Sequence, residues 1–194
     1  MEGSPLNGRR IVVGVSGSIA AYKAAEVVSQ LTQRGAKVTP ILTRGATAFV
    51  TPLTFQTLSG QRALFETFDL ERVEDPTHIQ LAHATELVLI SPATANLLGK
   101  LAHGIADDLL TTFMLAVRCP VLVAPAMNTM MWEHPAVQDN VRLLKARGMA
   151  FVQPGEGRLA CGDIGPGRLA EPLQIVAAVE RVFASAKQKK RRAS

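Results

Sequence analysis

The chain has 194 residues, of which 47% are hydrophobic and 19% are charged, values that favour one globular domain over a disordered or fibrous chain. Its apolar runs are all shorter than the roughly 20 residues that a membrane-spanning helix needs, and residues 1–10 lack the apolar centre of a signal peptide. We therefore expect a cytoplasmic protein that does not act at a membrane.

The net charge of +5 comes from the end of the chain, since five positive residues there are accompanied by no acidic one: Lys187, Lys189, Lys190, Arg191 and Arg192. Aromatic residues make up only 5% of the chain, too few for a base-stacking surface. We therefore expect no nucleic-acid partner. The predicted organisation is an extension over 1–9, one domain over 10–186 and a flexible basic tail over 187–194.

The first predicted elements follow in the order strand, turn, helix, strand: Arg10–Val15, 16–19, a helix to about Gln33, and Ala36–Thr43. Pro40 cannot donate to a neighbouring strand, which either weakens the assignment of the second strand or places it at an edge. Two short helices and an extra strand at Ala63–Phe68 fit the segment Gly45–Asp75.

Later apolar segments alternate with helix-like sequence, at Glu86–Ser91, Pro120–Ala124 and Ala150–Gln153. The last helix is predicted over Glu171–Ala186, with an apolar stripe of Leu173, Val176, Val179, Val182 and Phe183. Such alternation predicts a parallel sheet covered on both faces. The expected fold is a single α/β domain with three α/β/α layers, Rossmann-like and of the flavodoxin-like type.

Ligands of such sheets bind beyond the carboxyl ends of the strands. The loop Gly14–Ile19 can present hydroxyls and backbone N–H groups to a phosphate at a helix start, and Thr43-Arg44-Gly45 and Ser91–Asn96 can add to them. The pattern is not the dinucleotide GxGxxG, so a mononucleotide such as FMN fits better than NAD. Each loop is equally explained as a turn or a capped helix start.

His78 follows Asp75 and Pro76, which are typical of a helix start, so it lies in a first helical turn. A helix N-terminus disfavours an imidazolium, and a neutral imidazole is the form that accepts a proton. His83, His103 and His134 are interpreted as surface or capping residues. No pairing of histidines has the spacing of a metal site, so no metal is expected.

Asn128 ends the segment Pro125-Ala126-Met127-Asn128 after an apolar strand, where its amide can donate to a carboxylate. Met127, Met130, Met131 and Trp132 supply an apolar wall, and an apolar setting raises the energy of a carboxylate relative to carbon dioxide. The alternatives are that Asn128 caps a helix and that the methionines belong to the core.

Five glycines occur in the segment 155–168, which we interpret as a loop able to close as a lid. Cys161 lies near its centre; a thiol with the ordinary pKa of about 8.5 is protonated at neutral pH and can act as an acid. The alternative is an incidental thiol on a surface loop. For Cys119, which precedes a strand, a buried structural role is preferred, and reduced thiols are favoured over a disulfide.

Taken together, these motifs resemble the homo-oligomeric flavin-containing cysteine decarboxylases over about residues 10 to 183. The runs Pro125–Asn128 and Ala160–Asp163 are the most specific. Pro92-Ala93-Thr94-Ala95-Asn96 differs from the family's usual PASAN by a Ser-to-Thr change that keeps the hydroxyl.

The resemblance implies FMN at a subunit interface of a homotrimer or homododecamer, and a reaction that converts 4′-phosphopantothenoylcysteine to 4′-phosphopantetheine and carbon dioxide. It implies that His78 is the base, that Asn128 binds the substrate carboxylate and that Cys161 protonates an enethiolate. The implied cofactor contacts are Gly17, Ser18, Ile19, Thr43, Ser91, Ala93, Thr94, Ala95, Asn96 and Ala126. The implied substrate contacts are Asn128, Met131, Arg158, Leu159 and Ala160.

Two other functions fit the same residues. One is decarboxylation of a peptide with a C-terminal cysteine in lanthipeptide maturation, and the other is a non-catalytic, flavin-binding regulatory subunit. Many bacterial relatives carry a second, ligase domain, and nothing after Glu171–Ala186 resembles it. We therefore expect no ligase activity from these residues.

Overall fold

The fold is built on a parallel sheet of five strands: β1 (Arg10–Val15), β2 (Lys37–Leu42), β3 (Leu87–Ala93), β4 (Val121–Pro125) and β5 (Ala150–Phe151). The computed structural model describes residues 4–65, 78–158, 162 and 164–193, with side chains as far as residue 185. The strands lie in the order β2-β1-β3-β4-β5 and every neighbouring pair is parallel. This is the flavodoxin-like order, so the predicted fold is confirmed.

Helices cover both faces of the sheet: α1 (Ala21–Gln33), α2 (Arg44–Thr47), α3 (Pro52–Ser59), α4 (His78–Ala84), α5 (Ala95–His103), α6 (Leu109–Ala116), α7 (Thr129–Glu133), α8 (Pro135–Ala146) and α9 (Pro172–Ala193). Helices α1, α3 and α9 share one apolar core with the sheet, and α4, α5, α6 and α8 share the other. Successive strand side chains alternate between them, since Val13 lies in the first core and Val12 in the second. The three layers follow from this alternation.

The edge position predicted for the second strand is confirmed, because β2 is the outermost strand on its side. Leu64 forms a short bridge to this edge: its N–H donates to the Pro40 carbonyl at 2.9 Å and its carbonyl accepts from the Leu42 N–H at 2.7 Å. The predicted extra strand is therefore a bridge at Leu64, and residues 66–68 lie outside the described residues. The two short helices predicted before it are α2 and α3.

The sequence predicted a loop for the whole glycine-rich segment after β5, and this prediction is wrong for part of it. Its flanks form an antiparallel hairpin of β6 (Gly155–Arg158) and β7 (Ile164–Arg168). Gly157 and Gly167 have φ angles of 145° and 125°, which side-chain-bearing residues rarely adopt. Glycine is normally depleted in strands, so the composition predicted a loop. Residues 159–161 and 163, at the turn, lie outside the described residues.

The last helix differs from prediction in its length and its buried face. Leu173 is 62% exposed, and Ile175 is buried instead, with Val176, Val179 and Phe183. The backbone of α9 continues to Ala193, beyond the predicted helix end at Ala186; Lys, Arg and Gln are good helix formers. Within the described ranges, neither α9 nor any other helix combines the length and apolar character that a membrane crossing requires.

Candidate active site

The loops after β1, β2, β3 and β4 enclose a cavity of about 600 Å³ at the carboxyl edge of the sheet, here named the first cavity. Its lining consists of Ser16, Gly17, Ser18, Thr43, Arg44, Gly45, Thr94, Ala95, Asn96, Leu97, Lys100, Asp107, Asp108, Ala126, Met127 and Met131. The volume lies within the range of small-molecule sites. Four separate loops thus meet where the sheet order predicted a ligand.

Gly17 and Gly45 bring two of these loops into backbone contact. A Cβ atom on Gly17 would lie 2.8 Å from the carbonyl carbon of Gly45, a distance that real Cβ atoms do not show. Positive φ angles occur at other glycines of the described chain but not at these two. Both glycines therefore allow the close approach of two loops that line the first cavity.

Three of the hydroxyls that line the first cavity accept a hydrogen bond at or near the start of a helix. Ser18 Oγ accepts from the Ala20 N–H at 3.2 Å. Thr43 Oγ1 accepts from Ala46 at 3.3 Å, and Thr94 Oγ1 accepts from Leu97 at 3.3 Å. The capping alternative is thus correct for Thr43 and Thr94. It does not oppose anion binding, since a hydroxyl that accepts still has a hydrogen to donate.

Ser16 ties the first loop to the third, a role that sequence analysis missed. Its buried Oγ donates to the Pro92 carbonyl at 2.7 Å and accepts from the Thr94 N–H at 2.9 Å. The signal available in the sequence was a small hydroxyl residue directly after a buried strand. Since Thr94 lines the first cavity, Ser16 sets the distance between two of its walls.

A charged group closes the opposite end of the first cavity. The Lys100 Nζ atom contacts both carboxylate oxygens of Asp107, at 2.7 and 2.8 Å. Hydrogen bonding to Lys100 holds the pKa of Asp107 below its usual range. Asp108 forms a capping box with Thr111 at the start of α6, which fixes this segment. Sequence analysis did not single out these residues.

A second cavity, of about 590 Å³, lies on the other side of the loop that follows β4. Its lining consists of Ser18, Ile19, Ala20, Tyr22, Lys23, Ala126, Met127, Asn128, Arg158, Gly167, Arg168 and Leu169. Ser18, Ala126 and Met127 line both cavities. The two spaces are therefore separated by a thin wall of small and flexible side chains.

Asn128 is the N-cap of α7, and its Oδ1 accepts from the Met130 N–H at 2.8 Å. The capping alternative is therefore correct, and it also orients the side chain. With Oδ1 on the helix, the donor group Nδ2 is at the other side of the carboxamide. A carboxylate needs such a donor, and Asn128 lines the second cavity.

The hairpin of β6 and β7 is seated on the loop that carries Asn128. The Met127 N–H donates to the Gly167 carbonyl at 2.9 Å. A Cβ atom on Gly165 would lie 2.7 Å from Thr129 Oγ1, so the strand and the helix start are in direct contact there. The hairpin thus brings Arg158 and Arg168 to the second cavity.

The structure brings together most of the predicted cofactor residues. The first cavity is lined by Gly17, Ser18, Thr43, Thr94, Ala95, Asn96 and Ala126, and also by the predicted substrate residue Met131. Ile19, Asn128 and Arg158 line the second cavity. Ser91 and Ala93 are fully buried within β3 and belong to neither lining.

The predicted base, His78, is not among the residues that line the two cavities, and the predicted acid, Cys161, lies outside the described residues. His78 begins α4 and is half-buried, and it lines neither cavity. Helix α4 leads directly into β3, so His78 lies at the end of the helix that is further from the start of that strand. Leu159, Ala160 and Cys161 lie outside the described residues.

The large apolar side chains near Asn128 form two groups that differ in their exposure to solvent. Met127 and Trp132 pack partly buried against the second core, whereas Met130 and Met131 are 77% and 48% exposed. The core alternative is therefore wrong for the latter pair. Cys119 is half-buried against the same core, and its loss of solvent raises the pKa of the thiol. Within the described ranges, no three His, Cys, Asp or Glu side chains form a metal-binding group.

A model of the Flavoprotein family matches residues 2–184. The chain belongs to the Flavoprotein family. It is 49% identical over 179 residues to the coenzyme A biosynthesis bifunctional protein CoaBC of Bacillus subtilis, an alignment that covers 92% of this chain and 44% of that protein. The chain thus spans less than half the length of this relative.

Solved structures that are similar to the whole fold include two decarboxylases. One is a cysteine-to-serine mutant of PPC decarboxylase complexed with pantothenoylaminoethenethiol, with a TM-score of 0.80 and 32% identity over 92% of this chain and all of that one. The other is the FMN-dependent cysteine decarboxylase SpaF, with a TM-score of 0.80 and 33% identity over 94% of this chain and 99% of that one. The predicted family resemblance is confirmed.

Proposed function

We propose that the protein catalyses the FMN-dependent oxidative decarboxylation of 4′-phosphopantothenoylcysteine to 4′-phosphopantetheine and carbon dioxide. The observation that carries this proposal is the shared wall between the two cavities, formed by Ser18, Ala126 and Met127. A cofactor in one cavity and a substrate in the other would lie against each other there. The similarity to CoaBC and to PPC decarboxylase supports the choice of reaction.

The first cavity fits FMN. The contact between Gly17 and Gly45 leaves two loops of backbone N–H groups beside the hydroxyls of Ser18 and Thr43. Arg44 adds a positive charge to this end, which suits a phosphate. Small residues such as Ala95 and Ala126 leave room for a flat ring. FMN, when bound, would supply the oxidant that accepts a hydride from the substrate cysteine and later returns it.

Asn128 binds the substrate carboxylate in this proposal. Its Nδ2 group donates to the carboxylate, while its Oδ1 is held by the Met130 N–H. The wall around it contains Met127, Ile19 and Leu169, which are apolar. Apolar side chains in contact with a carboxylate destabilise the charged group relative to neutral carbon dioxide, so these three favour bond cleavage once the neighbouring carbon has been oxidised.

His78 and Cys161 complete the proton transfers. His78 takes a proton from the substrate as the cysteine is oxidised to a thioaldehyde, which is why it must begin the reaction as a neutral imidazole. Loss of carbon dioxide leaves an enethiolate, and Cys161 donates a proton to it. Both assignments rest on the family resemblance and on the positions of these residues in the sequence.

A homo-oligomer, a trimer or a dodecamer, is part of the same proposal. Ile19 and Tyr22 are 57% and 60% exposed at the rim of the second cavity, and Met130 is 77% exposed nearby. Large apolar side chains grouped beside a site are typical of a surface that another chain covers. Light scattering of the purified protein tests this proposal, and a monomer over a range of concentrations would contradict it.

The reaction is tested by mass spectrometry of protein supplied with FMN. One reaction contains 4′-phosphopantothenoylcysteine and a parallel one contains a peptide with a C-terminal cysteine. Loss of carbon dioxide from the first compound alone is expected. Loss from the peptide alone would move the protein to peptide maturation, and loss from neither, with flavin bound, would indicate a non-catalytic flavoprotein.

The two proton-transfer roles have separate signatures. The His78→Asn variant should bind FMN and fail to oxidise the substrate. The Cys161→Ser variant should oxidise and decarboxylate it, so that the enethiol intermediate accumulates and is detected by mass. Unchanged turnover in either variant, or loss of the flavin, would contradict these roles.

A further inference from the structure

The second cavity has an unusual balance of charge. Lys23, Arg158 and Arg168 all line it, and none of the described residues in its lining is acidic. Lys23 and Arg168 both form ion pairs with Glu171, which is not among the residues that line the cavity. A cavity lined by several basic side chains favours an anionic ligand.

The contacts of Glu171 leave an excess of positive charge. Both oxygens of its carboxylate lie 3.1 Å from Lys23 Nζ. One of them, Oε1, also lies 3.1 Å from Arg168 Nη2. Two cations thus share one anion, and Arg158 adds a further positive charge to the same cavity. The resulting net charge is two, which matches a phosphate monoester of about −1.5 to −2 at neutral pH.

The arginines differ from Lys23 in how they can reach a ligand. Lys23 is 8% exposed and is fixed by both oxygens of Glu171. The Arg168 side chain is 43% exposed, and one of its terminal nitrogens forms the ion pair with Glu171. A guanidinium has five N–H donors in a planar fork, so this contact leaves donors for a phosphate.

We infer that the second cavity recognises the phosphate of the phosphorylated substrate, with Arg158 and Arg168 as its ligands and Lys23 as a fixed positive charge beside them. This inference rests on the proposed function and adds the basis of its substrate specificity. Asn128 lines the same cavity, so the cavity offers separate groups for the two anionic ends of one substrate, its carboxylate and its phosphate. The apolar side chains of Ile19, Tyr22 and Leu169 suit the uncharged middle.

The test compares 4′-phosphopantothenoylcysteine with unphosphorylated pantothenoylcysteine as substrates of the 194-residue protein supplied with FMN. The wild type should prefer the phosphorylated compound in kcat/KM. The Arg168→Gln and Arg158→Gln variants should each reduce this preference by roughly 10- to 100-fold, the effect of removing a hydrogen bond to a charged group. The Arg142→Gln variant, which removes an exposed pair with Asp139 on α8, is the control and should keep the preference.

A binding measurement gives a readout other than turnover. Titration calorimetry should show that 4′-phosphopantetheine binds more tightly than pantetheine, and that Arg168→Gln removes most of the difference. Circular dichroism verifies that each variant is folded, and flavin fluorescence measures its affinity for FMN. The affinity for FMN should be the same in the wild type and in both arginine variants.

Other results would overturn either the phosphate site or the proposed function. An equal rate on the two compounds in the wild type, or an unchanged preference in both arginine variants, would overturn the phosphate site while leaving the decarboxylation intact. Loss of FMN affinity in the arginine variants would overturn it too, because the arginines would then hold the cofactor's phosphate. No turnover of either compound by the wild type with FMN bound would overturn the proposed function itself.

Discussion

Gly167 accepts a hydrogen bond from Met127 and lies so close to it that no side chain fits between them. A Cβ atom on Gly167 would be 2.5 Å from the Met127 carbonyl oxygen, and the residue has a φ angle of 125°. The contact joins β7 to the loop that carries Asn128. The position of a proposed substrate-binding residue is therefore set by a glycine about forty residues later in the chain.

The Gly167→Ala substitution should reduce the free energy of unfolding and weaken binding in the second cavity. The strained φ angle alone costs about 1–2 kcal/mol in a residue with a side chain, and the clash with Met127 adds to it. Urea denaturation measures the loss of stability, and calorimetry with 4′-phosphopantetheine measures the binding. The control is Gly148→Ala, where φ is 91° and nothing lies within 4 Å. A loss of stability equal to that of the control would contradict the proposed close contact.

The Gly17→Ala substitution should weaken FMN binding by about tenfold or more, because the new Cβ would force apart the loops that contain Gly17 and Gly45. Flavin fluorescence measures this affinity directly. Gly99→Ala, within α5, is the matched control, since its Cβ would meet Asn140 Nδ2 at an ordinary 3.6 Å. That variant should bind FMN normally and gain some helix stability. Equal affinities in the two variants would show that the close approach is not needed.

The Ser16→Ala substitution should lower stability by about 1–3 kcal/mol, because the half-buried Thr94 N–H loses its acceptor and the Pro92 carbonyl loses its donor. FMN affinity should fall with it, since Thr94 lines the first cavity. The comparison is Thr57→Ala on the exposed side of α3, where Oγ1 donates to the Leu53 carbonyl; surface changes of this kind usually stay within about 0.5 kcal/mol. Chemical denaturation of both variants checks the difference.

Stability should fall at acidic pH through Glu171. The hydrogen bond from Lys23 holds the pKa of this carboxyl below its ordinary value of 4.5. A carboxyl with a lowered pKa in the folded state stabilises the fold above its unfolded pKa, and this contribution is lost as the pH falls through the folded value. The melting temperature of the wild type should therefore drop more steeply below pH 4.5 than that of Glu171→Gln. In a Lys23→Met background the two curves should come closer together, and an unchanged gap there would contradict the role of Lys23.

The sheet could be predicted from the sequence because its strands are marked locally. The segment Arg10–Val15 is apolar enough to be buried on both faces, and the missing N–H of Pro40 placed β2 at an edge. The cofactor loops could be predicted because each one follows a strand, and the carboxyl ends of parallel strands share one edge. Local pattern was enough in both cases.

Contacts between distant residues could not be predicted in this way. Lys23 and Glu171 are 148 residues apart, and Ser16 and Thr94 are 78 apart. The strands β6 and β7 were missed because glycine is unusual in strands. A side chain on Gly165 would clash with Thr129, and one on Gly167 would clash with Met127. The need for glycine at these positions follows from tertiary contacts that the local sequence does not show.

The two cavities draw on different lengths of the chain. The last residue in the lining of the first cavity is Met131, whereas the second cavity is also lined by Arg158, Gly167, Arg168 and Leu169. Because a ribosome releases the chain from its N-terminus, all residues of the first cavity are synthesised before the second can be completed. A growing chain thus passes through a stage that contains all of the residues that line the first cavity and only some of those that line the second. The two linings are therefore completed in a fixed order, with the proposed cofactor cavity first.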